Sequence, residues 1–149
     1  MSGRSSIPQL YSFCSVATMA PVLASKRMQR PGRRVLVVED HLDTVRSLFF
    51  LLRGLGHEVD YAINGYSALR AARELRPEFI FMDLTLPDTD GWQLARQLRR
   101  EPGLETVKVY AITGSNTAED RQRSVEAGFR EHLVKPVDPR RLEELLEDN

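Results

Sequence analysis

Phe79-Ile80-Phe81-Met82-Asp83-Leu84-Thr85-Leu86-Pro87-Asp88-Thr89-Asp90-Gly91 opens on four consecutive large apolar residues and then turns polar. A short apolar run with no polar residue at alternate positions suits a strand covered on both faces. Asp83 closes that strand at its carboxyl end, and Asp90-Gly91 turns the chain into a helix over 91–100, stopped by Pro102-Gly103. The same grammar recurs on both sides. Val35-Leu36-Val37-Val38 is a β-branched apolar run followed by Glu39-Asp40, then by a helix over 41–55 that ends at Gly56. Strands follow at 58–62, 107–112 and 132–134, and helices at 66–75, 117–127 and from Pro139 through Leu146. Five strands alternating with five helices over roughly 115 residues predict an α/β fold, a parallel sheet with helices on both faces. Ligands of such sheets sit beyond the carboxyl ends of the strands, where strand order reverses.

The residues at those ends are chemically distinctive. The first strand ends in Glu39-Asp40, the third in Asp83, the fourth in Thr113 and the fifth in Lys135-Pro136. Three clustered carboxylates repel one another unless a cation sits among them. Hard oxygen ligands without His or Cys favour Mg²⁺, completed by water and a phosphate. Lys135 suits a phosphoryl oxygen and Thr113 is a neutral donor. The set fits phosphoryl transfer, with a carboxylate as candidate nucleophile. Taken singly, Glu39 or Asp40 would read as a helix cap, Asp83 as a turn residue and Lys135 as a solvated lysine. Their joint placement at successive strand ends separates them from those roles.

Composition sets the outer bounds. The chain has 149 residues, 21 Lys+Arg against 21 Asp+Glu, and one Cys. One cysteine excludes an internal disulfide framework and points to a reducing compartment, so a cytoplasmic location is expected. Leu48-Phe49-Phe50-Leu51-Leu52 is the longest apolar run, too short to span a membrane. The zero net charge is a sum of unlike parts. Residues 1–34 hold six basic and no acidic residues, whereas residues 35–149 hold 15 basic and 21 acidic. We read residues 1–33 as a disordered basic extension and residues 34–149 as the folded domain. A secretory signal is disfavoured because Ser12, Ser15, Thr18 and Pro21 interrupt its apolar stretch. A nucleic-acid arm is disfavoured because six scattered charges form no cluster. The preferred expectation is an extension without function, from a start assigned upstream of Met19 or Met28. Cys14 has no evident partner or catalytic role.

Val35-Leu36-Val37-Val38-Glu39-Asp40, Met82-Asp83-Leu84-Thr85-Leu86-Pro87-Asp88-Thr89-Asp90-Gly91, Ala111-Ile112-Thr113-Gly114, Glu126-Ala127-Gly128-Phe129 and Leu133-Val134-Lys135-Pro136-Val137 together resemble a response-regulator receiver domain of two-component signalling. The resemblance runs from about Arg34 to Leu146. It implies a flavodoxin-like (βα)5 fold and a role in a phosphorelay. Asp83 would accept a phosphoryl group from a phosphohistidine of a histidine kinase or histidine phosphotransfer protein. Asp40 and Asp83 would hold Mg²⁺, with the backbone carbonyl of Thr85 and a water-mediated contact from Glu39. Lys135 would pair with Asp83 and then with the phosphoryl oxygens, and Thr113 would move to hydrogen-bond the phosphoryl group. The peptide bond before Pro136 is expected to be cis.

One position departs from the family pattern. Many members place a Tyr or Phe on the fifth strand that rotates inward with the Thr; here that residue is His132. It is either a switch element that can titrate near neutral pH or a strand-end histidine with no special role. Phe50 lies about 200° around the first helix from Leu48, away from the core, with Phe49 at the edge. Phe50 would belong to a kinase or phosphotransfer interface, or be an ordinary exposed apolar residue. Trp92 is expected to pack on the third helix.

The receiver is expected to stand alone, without room for a DNA-binding output domain, and to act on an unidentified downstream protein or pass the phosphoryl group onward. A receiver separated from a hybrid histidine kinase is a variant of this reading. A receiver is not an enzyme with free substrates; it promotes only its own Mg²⁺-dependent phosphorylation and dephosphorylation. An aspartyl-phosphate hydrolase is the competing class, but haloacid-dehalogenase-type enzymes need a second Asp two residues after the nucleophile, where this chain has Thr85. A degenerate receiver acting only as a scaffold would not need the full acidic, Thr and Lys set.

Overall fold

The computed structural model describes residues 31–147, so the proposals for the basic extension, Met19, Met28 and Cys14 lie outside the described residues. The elements alternate strictly: β1 (Arg34–Val38), α1 (Leu42–Gly54), β2 (Glu58–Ala62), α2 (Gly65–Leu75), β3 (Phe79–Asp83), α3 (Gly91–Arg99), β4 (Lys108–Thr113), α4 (Ala118–Glu126), β5 (Glu131–Val134) and α5 (Pro139–Glu147). All strand pairings are parallel, in the order β2-β1-β3-β4-β5. The expected (βα)5 flavodoxin-like architecture is therefore present.

Alternation along the strands divides the core into two layers. Leu36, Val38, Ile80, Met82, Val109 and Ala111 face α2 and α3, where they meet Ala68, Ala72, Leu94 and Leu98. Val35, Val37, Phe79, Phe81, Tyr110 and Ile112 face the other way, onto Leu48 and Leu52 of α1 and Leu142, Leu145 and Leu146 of α5. A strand buried on both faces needs apolar residues at every position, which explains the unbroken run 79–82.

Helix starts are locally encoded. Asn64 and Ser67 form a reciprocal capping box on α2, Asp90 accepts from Gln93 N–H, and Thr117 accepts from Asp120 N–H. Helix α1 begins one residue later than expected, because His41 occupies its N-cap position without a side-chain capping bond. Helix α4 is the exception in packing, with Ser124 as its one buried residue.

Candidate functional site

Asp83 ends β3, Glu39 and Asp40 follow β1, and these strands are neighbours, so the sheet itself brings the carboxylates together. One ligand oxygen from each of Glu39, Asp40 and Asp83 lies within 4.8 Å of the others. Glu39 is 2% exposed and Asp83 8%, whereas Asp40 faces solvent. Gly91 permits the tight exit from β3. A Cβ there would lie 2.8 Å from both the Asp83 carbonyl oxygen and Leu84 Cα, so only glycine fits the start of α3 this close to the strand end.

Lys135 reaches into the cluster from the end of β5, the Lys135-Pro136 peptide being cis. Its Nζ donates to Glu39 Oε2 at 2.9 Å and to Asp83 Oδ2 at 3.5 Å. The second Glu39 oxygen accepts His41 N–H at 3.2 Å, and Asp83 Oδ1 accepts Thr85 N–H at 3.2 Å. Sequence reasoning pairs Lys135 with Asp83; the shorter bond to Glu39 is something it did not reach. Burial pushes the Glu39 carboxyl above its usual range against the hydrogen bond from Lys135, and the charge of Asp83 pushes the same way. Burial pulls the Lys135 ammonium down, but the Glu39 hydrogen bond and the charges of Asp83 and Glu39 outweigh it, and its pKa is raised. The Glu39 shift is first an effect of burial, and the Lys135 shift an effect of its two carboxylate neighbours. The site's donor set, all oxygen, is one that a hard divalent cation fits.

Thr113 ends β4, 6% exposed. Its Oγ1 accepts Ser115 N–H at 3.2 Å, and its carbonyl accepts Lys135 N–H at 2.8 Å, which ties the ends of β4 and β5. The Thr85 side chain is exposed. His132 is half-buried, with Nε2 3.1 Å from the Ser115 carbonyl and Nδ1 3.4 Å from Ser124 Oγ. Trp92 is packed against the core layer beneath α2 and α3; its indole N–H donates to Ser124 Oγ at 3.1 Å, and the Arg123 guanidinium lies 3.7 Å above its ring. Ser124 went unnoticed in the sequence, where it is one serine among charged residues.

Phe50 is 69% exposed and meets Phe49 edge-on, with centroids 5.8 Å apart. A cleft of about 430 Å³ runs beside the acidic cluster between α1 and the segment after β5, lined by Asp43, Thr44, Ser47, Ile112, Lys135 and Val137 among others. Phe50 does not line it, but continues the Asp43–Ser47 ridge by one turn. Asp88 is a further residue the sequence did not single out. Its carboxylate accepts Gly65 N–H at 2.7 Å and Tyr66 N–H at 3.1 Å, fastening the β3–α3 loop to the start of α2. The Gly65 bond leads in holding its pKa below the ordinary carboxylate value. Among the described residues no helix is long and apolar enough to cross a membrane.

Residues 35–147 match the family model for the response regulator receiver domain. An uncharacterised 14.6 kDa protein from the sodA1 3' region of Leptolyngbya boryana is 36% identical over 113 residues, covering 76% of this chain and 86% of that protein. The DNA-binding response regulator MtrA of Mycobacterium tuberculosis is 34% identical over 115 residues, covering 77% of this chain and 49% of MtrA. The chain thus spans about half the length of that DNA-binding relative. Among solved structures, the receiver domain of the sensor histidine kinase PA1611 from Pseudomonas aeruginosa, with magnesium coordinated in its active-site cleft, is 31% identical with a TM-score of 0.71, covering 78% of this chain and 95% of that one. The receiver domain of Saccharomyces cerevisiae Ssk1, in complex with the histidine phosphotransfer protein Ypd1, is 29% identical with a TM-score of 0.71, covering 78% and 87%. With sheet order, strand-end chemistry and these likenesses in agreement, the chain belongs to the response-regulator receiver-domain family of two-component signalling.

Proposed function

We propose that Asp83 is the phosphoacceptor of this receiver, and that its donor is a phosphohistidine on a histidine kinase or histidine phosphotransfer protein. The observation that carries this reading is the Glu39–Asp40–Asp83 cluster with the Lys135 ammonium directed into it. Asp83 Oδ attacks the phosphorus, the P–N bond to the donor imidazole breaks, and the imidazole leaves with its electron pair and takes a proton from water. Glu39, Asp40, Asp83 and the Thr85 carbonyl would hold Mg²⁺, which supplies charge stabilisation for the transferring phosphoryl group. Lys135 stays charged throughout, as its raised pKa requires, and pairs with a phosphoryl oxygen as Asp83 loses its free charge. The Thr113 hydroxyl donates to another such oxygen.

The phosphoryl group adds nearly two negative charges and three acceptors, enough to redraw local hydrogen bonds. The output is a changed surface for a downstream protein, or onward transfer of the phosphoryl group. The receiver promotes only its own phosphorylation and dephosphorylation. The functional unit is residues 34–149, acting in the cytoplasm, with residues 1–33 dispensable for phosphorylation. Phe50 and the α1 cleft beside Lys135 form the face met by the phosphohistidine donor. The Ssk1–Ypd1 complex is the likeness that supports such a partner. Incubation with acetyl phosphate and Mg²⁺, followed by intact-mass measurement, tests the chemistry. One phosphoryl addition is expected in the wild type and none in Asp83→Asn; equal addition in both sinks the assignment.

A further inference from the structure

The charges of the folded domain are sorted by sheet edge. Glu39, Asp40 and Asp83 gather at the carboxyl ends of β1 and β3. The amino ends of β1, β3 and β4 instead border a cleft of about 320 Å³, lined by Arg33, Arg34, Arg76, Glu78 and Lys108 among others. Four cations thus meet one carboxylate, in a domain with more acidic than basic residues. The length of β3, from Phe79 to Asp83, puts about 13 Å between this cleft and the acidic cluster.

Glu78 offsets only part of the positive charge. Its Oε2 lies 3.6 Å from Arg33 Nη1 and its Oε1 3.8 Å from Arg34 Nη1, both too long for hydrogen bonds. The same Oε1 accepts the Arg34 backbone N–H at 3.1 Å. Arg76 and Lys108 have no carboxylate partner among the described residues. Nearby acids are engaged outside the cleft. Glu101 accepts two bonds from Arg73, and Glu105 accepts Gly103 N–H.

Arg76 keeps its place against a backbone penalty. It caps α2 with φ 52 and ψ 64, the one non-glycine at positive φ among the described residues. Helices usually put glycine there, because a Cβ strains the left-handed region. The Arg76 carbonyl accepts Arg34 Nε–H at 2.8 Å. Gly103, itself at φ 89, leaves the space that the Arg76 guanidinium fills, and a Cβ there would overlap Nη1. Lys108 is steadied as well, its ammonium 5.0 Å from the centre of the Phe79 ring. A strained backbone beneath a cation without an ion-pair partner points to a ligand.

We propose that this cleft binds a diphosphate group, either free as pyrophosphate or carried by a nucleoside diphosphate. Strands β1, β3 and β4 are neighbours, so Arg34 and Lys108 stand two strand spacings apart, about 10 Å. Cations spread over that width match two linked phosphates better than one. Arg34 and Arg76 supply forked donors suited to phosphate oxygens, and Lys108 supplies a point charge. The cleft's volume is at the small end for ligand sites, which suits a compact anion rather than a length of peptide. The site is independent of the phosphoacceptor at the other end of β3.

Calorimetric titration with pyrophosphate and with ADP tests this, in EDTA and low salt so that no Mg²⁺ draws phosphate to the acidic cluster. One saturable site per chain is expected, weakening as salt rises. Equal affinities would assign the cleft to the diphosphate alone; tighter ADP would add contacts to the nucleoside. Arg76→Gly suits the left-handed backbone and keeps the carbonyl, so the fold is expected to be retained. Its affinity for pyrophosphate is expected to fall about tenfold, the worth of one charge-assisted hydrogen bond. Lys108→Gln is expected to weaken binding similarly without touching that backbone. Both variants should take a phosphoryl group from acetyl phosphate and Mg²⁺ at the wild-type rate, and Asp83→Asn should bind pyrophosphate as the wild type does. No saturable binding, or unchanged affinity in both cleft variants, overturns the proposal. Loss of binding in Asp83→Asn would place the phosphate at the carboxyl edge and overturn it equally. So would a glutamate-rich peptide that binds where pyrophosphate does not, since the cleft would then serve a protein segment.

Discussion

Lys135 Nζ lies 2.9 Å from Glu39 Oε2 but 3.5 Å from Asp83 Oδ2, so in the unphosphorylated protein the lysine is first of all the partner of a buried glutamate. Glu39 is fixed in place by this bond and by His41 N–H. Asp83 keeps only a loose claim on the ammonium, which leaves its oxygens available.

Lys135→Met therefore strands a nearly buried carboxylate. An unfolding cost of about 1–3 kcal/mol is expected near pH 8, below the figure for a fully buried pair because the lysine side chain is 29% exposed. Losing the ammonium moves the Glu39 pKa further up in the folded state. Folding is then penalised above that pKa, and the deficit closes as pH falls through it and Glu39 becomes neutral. Urea unfolding at pH 8 and pH 5 measures both limits; an equal deficit at the two would mean that Glu39 is not the stranded group.

Asp83→Asn acts oppositely in the absence of divalent cations. Removing one of three mutually repelling carboxylates is expected to stabilise the fold by about 1 kcal/mol in EDTA, as is common where a functional site stores repulsion. Mg²⁺ should raise the Tm of the wild type with concentration, by binding the folded state alone, and leave that of Asp83→Asn nearly unmoved. Thermal melts across a Mg²⁺ series decide it, and equal shifts in both proteins would place the cation elsewhere.

Gly91→Ala tests the spacing between β3 and α3. Its Cβ would sit 2.8 Å from the Asp83 carbonyl oxygen and from Leu84 Cα, both backbone atoms that cannot swing aside. A loss of about 1–3 kcal/mol is expected from the overpacking. The rate of phosphorylation should fall more than stability does, since the displaced strand end carries Asp83. Comparing urea midpoints with acetyl-phosphate rates separates the two effects.

His57 gives the fold a dependence on acid. Its Nδ1 accepts Arg33 N–H at 3.0 Å, and burial, then the charge of Arg33, holds the imidazole below its ordinary value. As pH falls, the unfolded chain takes up this proton first, so His57's contribution is whole above about 6.5 and is lost on acidification through the folded pKa. His57→Gln is expected to flatten the fall in stability between pH 7 and 5, read from Tm; an unchanged slope would assign it to carboxylates instead.

Much of the architecture is legible in short stretches. The runs 35–38 and 79–82 identify doubly covered strands, Asn64 and Pro77 bracket α2, and Asp90 and Thr117 open helices, because burial period and capping act over a few residues. The angle of about 200° between Leu48 and Phe50 puts them on opposite faces of α1, and Leu48 is buried while Phe50 is exposed. The candidate site is legible for the same reason, since a residue following a parallel strand must lie at the carboxyl edge of the sheet.

Which polar group meets which is another matter. Glu39 and Lys135 are 96 residues apart, Asp88 reaches the start of α2 across 22 and 23 residues, and Ser124 accepts the Trp92 indole N–H across 32. Nothing periodic marks these pairs, and each carboxylate or hydroxyl has many chemically equivalent partners along the chain. Apolar contacts tolerate exchange because burial is non-directional, so pattern suffices to specify them. Hydrogen bonds need a fixed distance and angle, and those exist only once the sheet has brought its strand ends together and the helices have been seated on it.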